Sequence, residues 1–170
     1  MRNDLPSPRA WRSPGLLLGL GLGGFVDGIV LHQILQWHNM LSAVEPPVTV
    51  PAMQRNMRWD GLFHLLTWLL TAAGVAQLWR AGTRGALPHA GPHFLGDLLL
   101  GWGCFNLVEG LLDHHLLGIH HVREVPDPLA YDLVFLGLGG LGLILVGAWL
   151  RRGPPRSDAP GAAMPSRVDS

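Results

Sequence analysis

Residues 94–116 read FLGDLLLGWGCFNLVEGLLDHHL. The run is too long, and too poor in β-branched residues, for a strand. As a helix rising 1.5 Å per residue it covers about 34 Å, enough to cross a hydrocarbon core about 30 Å thick. Leucine and glycine fill its first half; Asn106, Glu109, Asp113, His114 and His115 fall in its second. Three further stretches, 14–38, 60–79 and 129–150, share the same apolar, glycine-rich character. Together they predict an all-α integral membrane four-helix bundle over residues 14–150. Residues 1–13 are expected to be a cytoplasmic N-terminal segment, and 151–170 a polar, proline-rich tail without fixed structure. Asp127-Pro128 is a start signal for the fourth helix, a capping Asp followed by Pro. Pro46, Pro47 and Pro51 mark a loop before the second helix, and the stretch 82–92 marks another.

Composition agrees. Of 170 residues 48% are hydrophobic and 14% charged, against about 25% charged in an average soluble domain. The 12 basic residues are all arginine and are balanced by 12 acids, which excludes a nucleic-acid binder held by a basic surface. One cysteine, Cys104, excludes an intramolecular disulfide framework and a Cys-based zinc site. Arginines 2, 9, 12, 80, 84, 151, 152, 156 and 167 lie on the side of the termini and the 80–93 loop; Arg55, Arg58 and Arg123 lie on the other. Positive charge collects on the cytoplasmic face. Both termini are therefore expected inside, in a multi-pass protein of the cell inner membrane. Trp11, Trp79 and Trp149 at one boundary, and Trp37, Trp59 and Tyr131 at the other, form the expected interfacial belts.

On this topology Asp27, His32, His38, Asp60, His64, Glu109, Asp113, His114, His115 and Asp132 crowd into the outer half, with His120 and His121 just beyond. An ionisable residue costs at least ~2.5–3.5 kcal/mol at the centre of a membrane helix, so such residues are candidates for function. No arginine within a span neutralises the acids. Asp60, at the predicted start of its helix, reads as an N-cap. Asp132, in a first turn, is favoured by the helix dipole. Asp27 lies mid-span, and Glu109 and Asp113 sit where that dipole disfavours anions; these three carry the functional argument.

The chain also matches itself. FVDGIVLHQILQWH at 25–38 aligns without a gap with LVEGLLDHHLLGIH at 107–120. Asp27 pairs with Glu109, Gly28 with Gly110, His32 with His114 and His38 with His120. The match predicts a duplicated two-helix hairpin whose acid-Gly-His sets face each other across an axis along the membrane normal. Gly15, Gly19 and Gly23, and Gly96, Gly103 and Gly110, are expected to let helix backbones approach closely. In a straight α-helix Asp27 and His38 would stand ~16 Å apart, and Asp27 and His32 would diverge by ~140°, so neither pair is expected to share an ion.

The runs GFVDGIVLHQILQWHNMLS, WDGLFH and FNLVEGLLDHHLLGIHHVRE resemble a bacterial membrane-protein family, domain of unknown function 2243, over residues 14–150. The residue after His38 is often a second His in that family; here it is Asn39, which argues against a role for that position. The family has no established activity to carry over. The resemblance implies respiratory oxidase assembly proteins as partners, with a homo-oligomer as the alternative.

Three functions compete. The foremost is a transition-metal (Zn, Cu or Fe) or haem b site on a subset of His32, His64, His114, His115 and His120, tuned by Asp27, Glu109, Asp113 and Asn106. A metal-dependent membrane enzyme is one role for it. Covalent haem c is excluded, since no C-x-x-C-H occurs. The second is a proton or cation relay without bound metal. The third is a structural or assembly partner of a membrane complex, its polar residues serving only to join helices.

Overall fold

The computed structural model of the chain describes residues 14–85 and 91–152. The expected N-terminal segment, the tail from residue 153 and part of the 82–92 loop lie outside that range. Four helices, each long and apolar enough to cross a membrane, make up the structure: α1 Pro14–Ile34, α2 Val50–Thr83, α3 Gly91–Leu116 and α4 Leu129–Arg151. No strand occurs among the described residues. The central pair is α1 and α3; α2 packs on α1, and α4 on α3. Leu62, Leu65, Leu66 and Leu69 of α2, and Leu133, Leu138, Leu141 and Leu145 of α4, are exposed, as suits a surface in lipid.

The interior is inverted relative to a water-soluble bundle. Ala52, Phe63 and Val122 are the buried hydrophobic residues among those described, against twelve buried polar or charged ones. Lipid offers helices no apolar incentive to associate, so packing rests on close backbone approach and on polar contacts between helices. Glycine supplies the first. A Cβ at Gly19 would lie 2.0 Å from the Leu98 carbonyl oxygen, and one at Gly101 would lie 2.2 Å from that of Leu16. These two crossings are equivalent at an offset of 82 residues. Gly21 likewise abuts the Thr67 carbonyl and Thr71 amide of α2, as Gly103 abuts those of Gly140 and Ile144 in α4.

Two boundaries differ from expectation. The second helix starts ten residues before 60, capped by the Thr49 hydroxyl, which accepts from the Ala52 amide at 3.3 Å. Asp60 is therefore not a cap. It stands buried well inside α2. The first helix stops at Ile34 rather than 38. Leu35 and Trp37 donate back to Val30 and Leu31, and Gln36 takes a left-handed φ of 50°. The equivalent turn ends α3: Leu117 and Ile119 donate to Leu112 and Asp113, with Gly118 at φ 58°. A left-handed residue after the last turn folds the chain back on its own helix. Pro128 directly precedes α4, and no side chain caps that end.

Local winding departs from α as well. Asp27–Ile34 and Gly110–Leu116, the last turns of α1 and α3, are π-helical, as is Phe135–Gly142 in α4. A π-turn bonds residue i to i+5 and commonly marks functional sites. The stretch in α4 has a visible consequence. Before it, residues of α2 and α4 with corresponding contacts are 72 apart: Asp60 meets His32 and Asp132 meets His114. Beyond it they are 73 apart, Thr71 matching Ile144 against Gly21 and Gly103.

Candidate metal centre

The π-turns decide which side chains meet. Residues five apart diverge on an α-helix, but they come onto one face when the backbone bonds i to i+5. Asp27 and His32 are such a pair, with Nε2 of His32 3.1 Å from Oδ2 of Asp27. Glu109 and His114 are the other, at 3.0 Å. The folded-back turns then add a third group to each. Nε2 of His38 comes to 3.9 Å from Oδ1 of Asp27, and Nε2 of His120 to 2.8 Å from Oε1 of Glu109. In each trio one ligand atom per residue lies within 4.8 Å of the others, and all six residues are buried. Two donors ~2.0–2.1 Å from one tetrahedral ion stand about 3.3–3.4 Å apart; the 2.8–3.1 Å approaches fall just under that spacing and the 3.9 Å approach above it. The straight-helix expectation that keeps Asp27 apart from His32 and His38 is corrected.

Every imidazole in the cluster turns Nε2 inward and Nδ1 outward. Nδ1 of His32 meets Oδ1 of Asp60 at 3.1 Å, and Nδ1 of His114 meets Oδ1 of Asp132 at 3.3 Å. Nδ1 of His38 donates to the Val122 carbonyl at 2.8 Å, and Nδ1 of His120 to that of Met40 at 3.3 Å. Each loop therefore supplies the acceptor for the other loop's histidine. A carbonyl can only accept, so the Nδ1 proton is fixed and Nε2 of neutral His38 presents a lone pair toward Asp27. Burial, with the neighbouring imidazoles of His32 and His120, pushes His38 far below its ordinary value, to about 2. Partners on the outer nitrogen that orient a ring and raise its basicity are characteristic of metal-ligating histidines.

Polar atoms are left over on the inner side. Glu109 Oε2 is buried without a hydrogen-bond partner, and Asp27 Oδ2, His32 Nε2, His38 Nε2 and His114 Nε2 have only the imidazole–carboxylate approaches of 3.0–3.9 Å given above. Such groups each cost ~1–3 kcal/mol unless something satisfies them. The four rings also pack tightly. His38 and His120 stack at 4.6 Å between centroids, His32 lies 4.3 Å from His38, and His114 lies 4.9 Å from His120. The two trios thus form one continuous cluster, roofed by the loops 35–49 and 117–128.

The outer carboxylates hold that roof. Asp60 accepts from the Met40 amide at 2.9 Å and the Asn39 side chain at 2.7 Å. Asp132 accepts from the Val122 amide at 2.9 Å and His121 Nδ1 at 2.7 Å. Asn39 makes the bond that His121 makes in the other half, so the missing histidine at that position costs nothing there. Ser42 donates to Glu124 at 2.8 Å, and Ala43 and Glu124 donate across to the carbonyls of Ile119 and Trp37.

The model of the family described as Predicted membrane protein (DUF2243) matches residues 14–153. The chain belongs to that family. No curated protein and no solved structure matches it. In this DUF2243 member, His32, His114 and His120 join the cluster with Asp27 and Glu109, as the sequence suggests. His64 stays outside both trios; its Nδ1 donates to the Asp60 carbonyl at 2.8 Å. His115 is exposed. Asn106 ties α3 to α4 through the Gly139 carbonyl at 2.8 Å. Asp113 faces an apolar groove between α2 and α3. Sequence reasoning missed His38 and the holding roles of Asp60 and Asp132. The signal for His38 was present: the gapless match pairs it with His120, and pairs Gln36 with Gly118, a residue suited to reversing the chain.

Proposed function

We propose that the bundle is a two-metal centre, with one transition-metal ion on Asp27, His32 and His38 and another on Glu109, His114 and His120. The observation that carries it is the convergence of six buried ligand atoms while each imidazole's outer nitrogen is held by a carboxylate or carbonyl. Two imidazoles and one carboxylate suit Zn or Fe(II), and three protein ligands leave coordination positions open, which is the arrangement of a catalytic rather than a purely structural site. Charge balance supports the same reading. When ionised, Asp27, Asp60, Glu109 and Asp132 bear four negative charges, which two divalent ions would offset with all four imidazoles neutral.

Four imidazolium ions would balance the charge too, without bound metal. They would stand 4.3–4.9 Å apart along the stack, where two unit charges repel by about 4 kcal/mol at an effective dielectric of 20. Haem b suits the site less well. Axial imidazoles lie on opposite faces of a porphyrin, whereas His38 and His120 stack directly on one another.

Elemental analysis and an optical spectrum of detergent-purified protein test the proposal. The expected result is about two transition-metal ions per chain and no Soret band; less than about 0.2 ion per chain after growth in metal-replete medium overturns it. The arginine distribution supports an orientation with the roofing loops on the outer face. Val48, 82% exposed in the first loop, should as Val48→Cys react with an impermeant maleimide on intact cells, and protection until lysis would reverse the orientation.

A further inference from the structure

The two halves of the bundle each bear a groove on their lipid-facing side, and the grooves are not alike. One lies between α2 and α3, lined by Leu62, Leu66, Phe105 and Val108, and reaches Glu109 and Asp113; its volume is about 480 Å³. The other lies between α1 and α4, with Leu31, Trp37, Tyr131 and Val134 on its walls. At the 82-residue offset Leu31 is the counterpart of Asp113. The second groove is thus apolar where the first carries an acid. Its mouth is further crossed by Arg123, whose guanidinium sits 5.2 Å from the Trp37 ring and 5.4 Å from that of Tyr131.

Asp113 has no structural duty that accounts for it. It is partly exposed, and its carboxyl makes no hydrogen bond or ion pair with any described residue, although it lies within a span. Apart from Glu109, the groove around it is lined by apolar side chains. Its neighbour Glu109 belongs to the metal trio. An apolar trough of drug-sized volume with a few convergent polar groups at one end has the general form of a ligand site. A carboxyl oxygen accepts a hydrogen bond, and the trough admits an apolar chain.

We infer that the groove between α2 and α3 binds a membrane-dissolved amphiphile with a single apolar tail and a hydroxyl head, the hydroxyl donating to Asp113 at the edge of the metal cluster. The tail lies along Leu66, Phe105 and Val108. The equivalent groove lacks the acceptor and is filled by ordinary lipid. Binding itself does not depend on the metal reading; only the use made of the bound molecule does.

The test uses the full chain in nanodiscs with a diazirine-bearing long-chain alcohol and its methyl ether, which cannot donate. Labelled residues are mapped by mass spectrometry. The alcohol should label the α2/α3 groove at least about five-fold more than the ether, the effect of one hydrogen bond worth ~1 kcal/mol, and should show no such preference in the α1/α4 groove. Asp113→Leu, which copies Leu31, should abolish the preference, and Asp113→Asn, which keeps an acceptor, should retain most of it. Equal labelling by alcohol and ether in the wild-type protein overturns the inference, as does a preference that survives Asp113→Leu. Metal content measured on the same samples keeps the two proposals separate, since loss of labelling at unchanged metal content bears on the groove alone.

Discussion

Replacing His38 by alanine removes a ligand from one trio and leaves the other complete. Two effects follow, and they separate experimentally. The first needs no metal: the buried Val122 carbonyl loses its 2.8 Å donor, a loss of about 1–3 kcal/mol. The second is the loss of an ion. A ligand present at 100 times its dissociation constant stabilises the folded state by about 2.7 kcal/mol, so two such ions contribute about 5.4 kcal/mol and the variant forfeits half of that. His38→Ala should therefore lie about 4–6 kcal/mol below wild type in excess metal and only about 1–3 kcal/mol below it in excess chelator. Its metal content should fall from about two ions to one. Unfolding curves in detergent with and without chelator, paired with elemental analysis, measure both. His120→Ala should behave alike, whereas His115→Ala, at an exposed position, should match wild type. If His38→Ala retained two ions, or kept the same gap from wild type in chelator as in metal, the assignment of His38 as a ligand would fail.

Asp60→Asn and Asp132→Asn should each keep the fold while weakening metal binding by about 10–100-fold, the usual effect of altering a ligand's outer hydrogen bond; competition with a chromophoric chelator reads the affinity. Gly19→Ala drives a methyl into the Leu98 carbonyl and should lower stability by about 1–3 kcal/mol, while Gly61→Ala, with nothing within 4 Å of the new carbon, should raise it by about 0.5–1 kcal/mol. Both shifts are measured by unfolding in the same detergent. Gly118→Ala should be destabilising by about 1–2 kcal/mol because φ is 58° there, and it should loosen His120 enough to lower metal content as well.

Much of this architecture was legible residue by residue. Leucine- and glycine-rich runs of spanning length identify the helices; of the glycines expected to admit a close backbone, Gly19, Gly96 and Gly103 do so, while Gly23 and Gly110 meet side chains. Burial of Asp27 and Glu109 followed from the same physics: an ionisable group within a span is costly in lipid, which favours an inward position. The gapless match between 25–38 and 107–120 brought His32, His114 and His120 forward. Asp60 was harder to read. Its helix begins at Val50 in a stretch holding Arg55, Asn56 and Arg58, polar enough to look like loop, so the aspartate seemed to stand at a helix end. His64 and His115 show the opposite error, since a histidine within a span need not face the cluster.

What sequence alone determined is the class of molecule and the list of groups that hydrocarbon would not tolerate unpaired, because both follow from transfer free energies that belong to each residue separately. Tertiary structure decided which of those groups meet. Three successive departures from ideal α geometry bring that about: a π-turn that stacks Asp27 under His32, a left-handed residue that sends the chain back, and a carbonyl from the opposite loop that holds His38 in place. None of the three is a repeat of apolar residues along one helix, so no periodicity within a helix could have announced it.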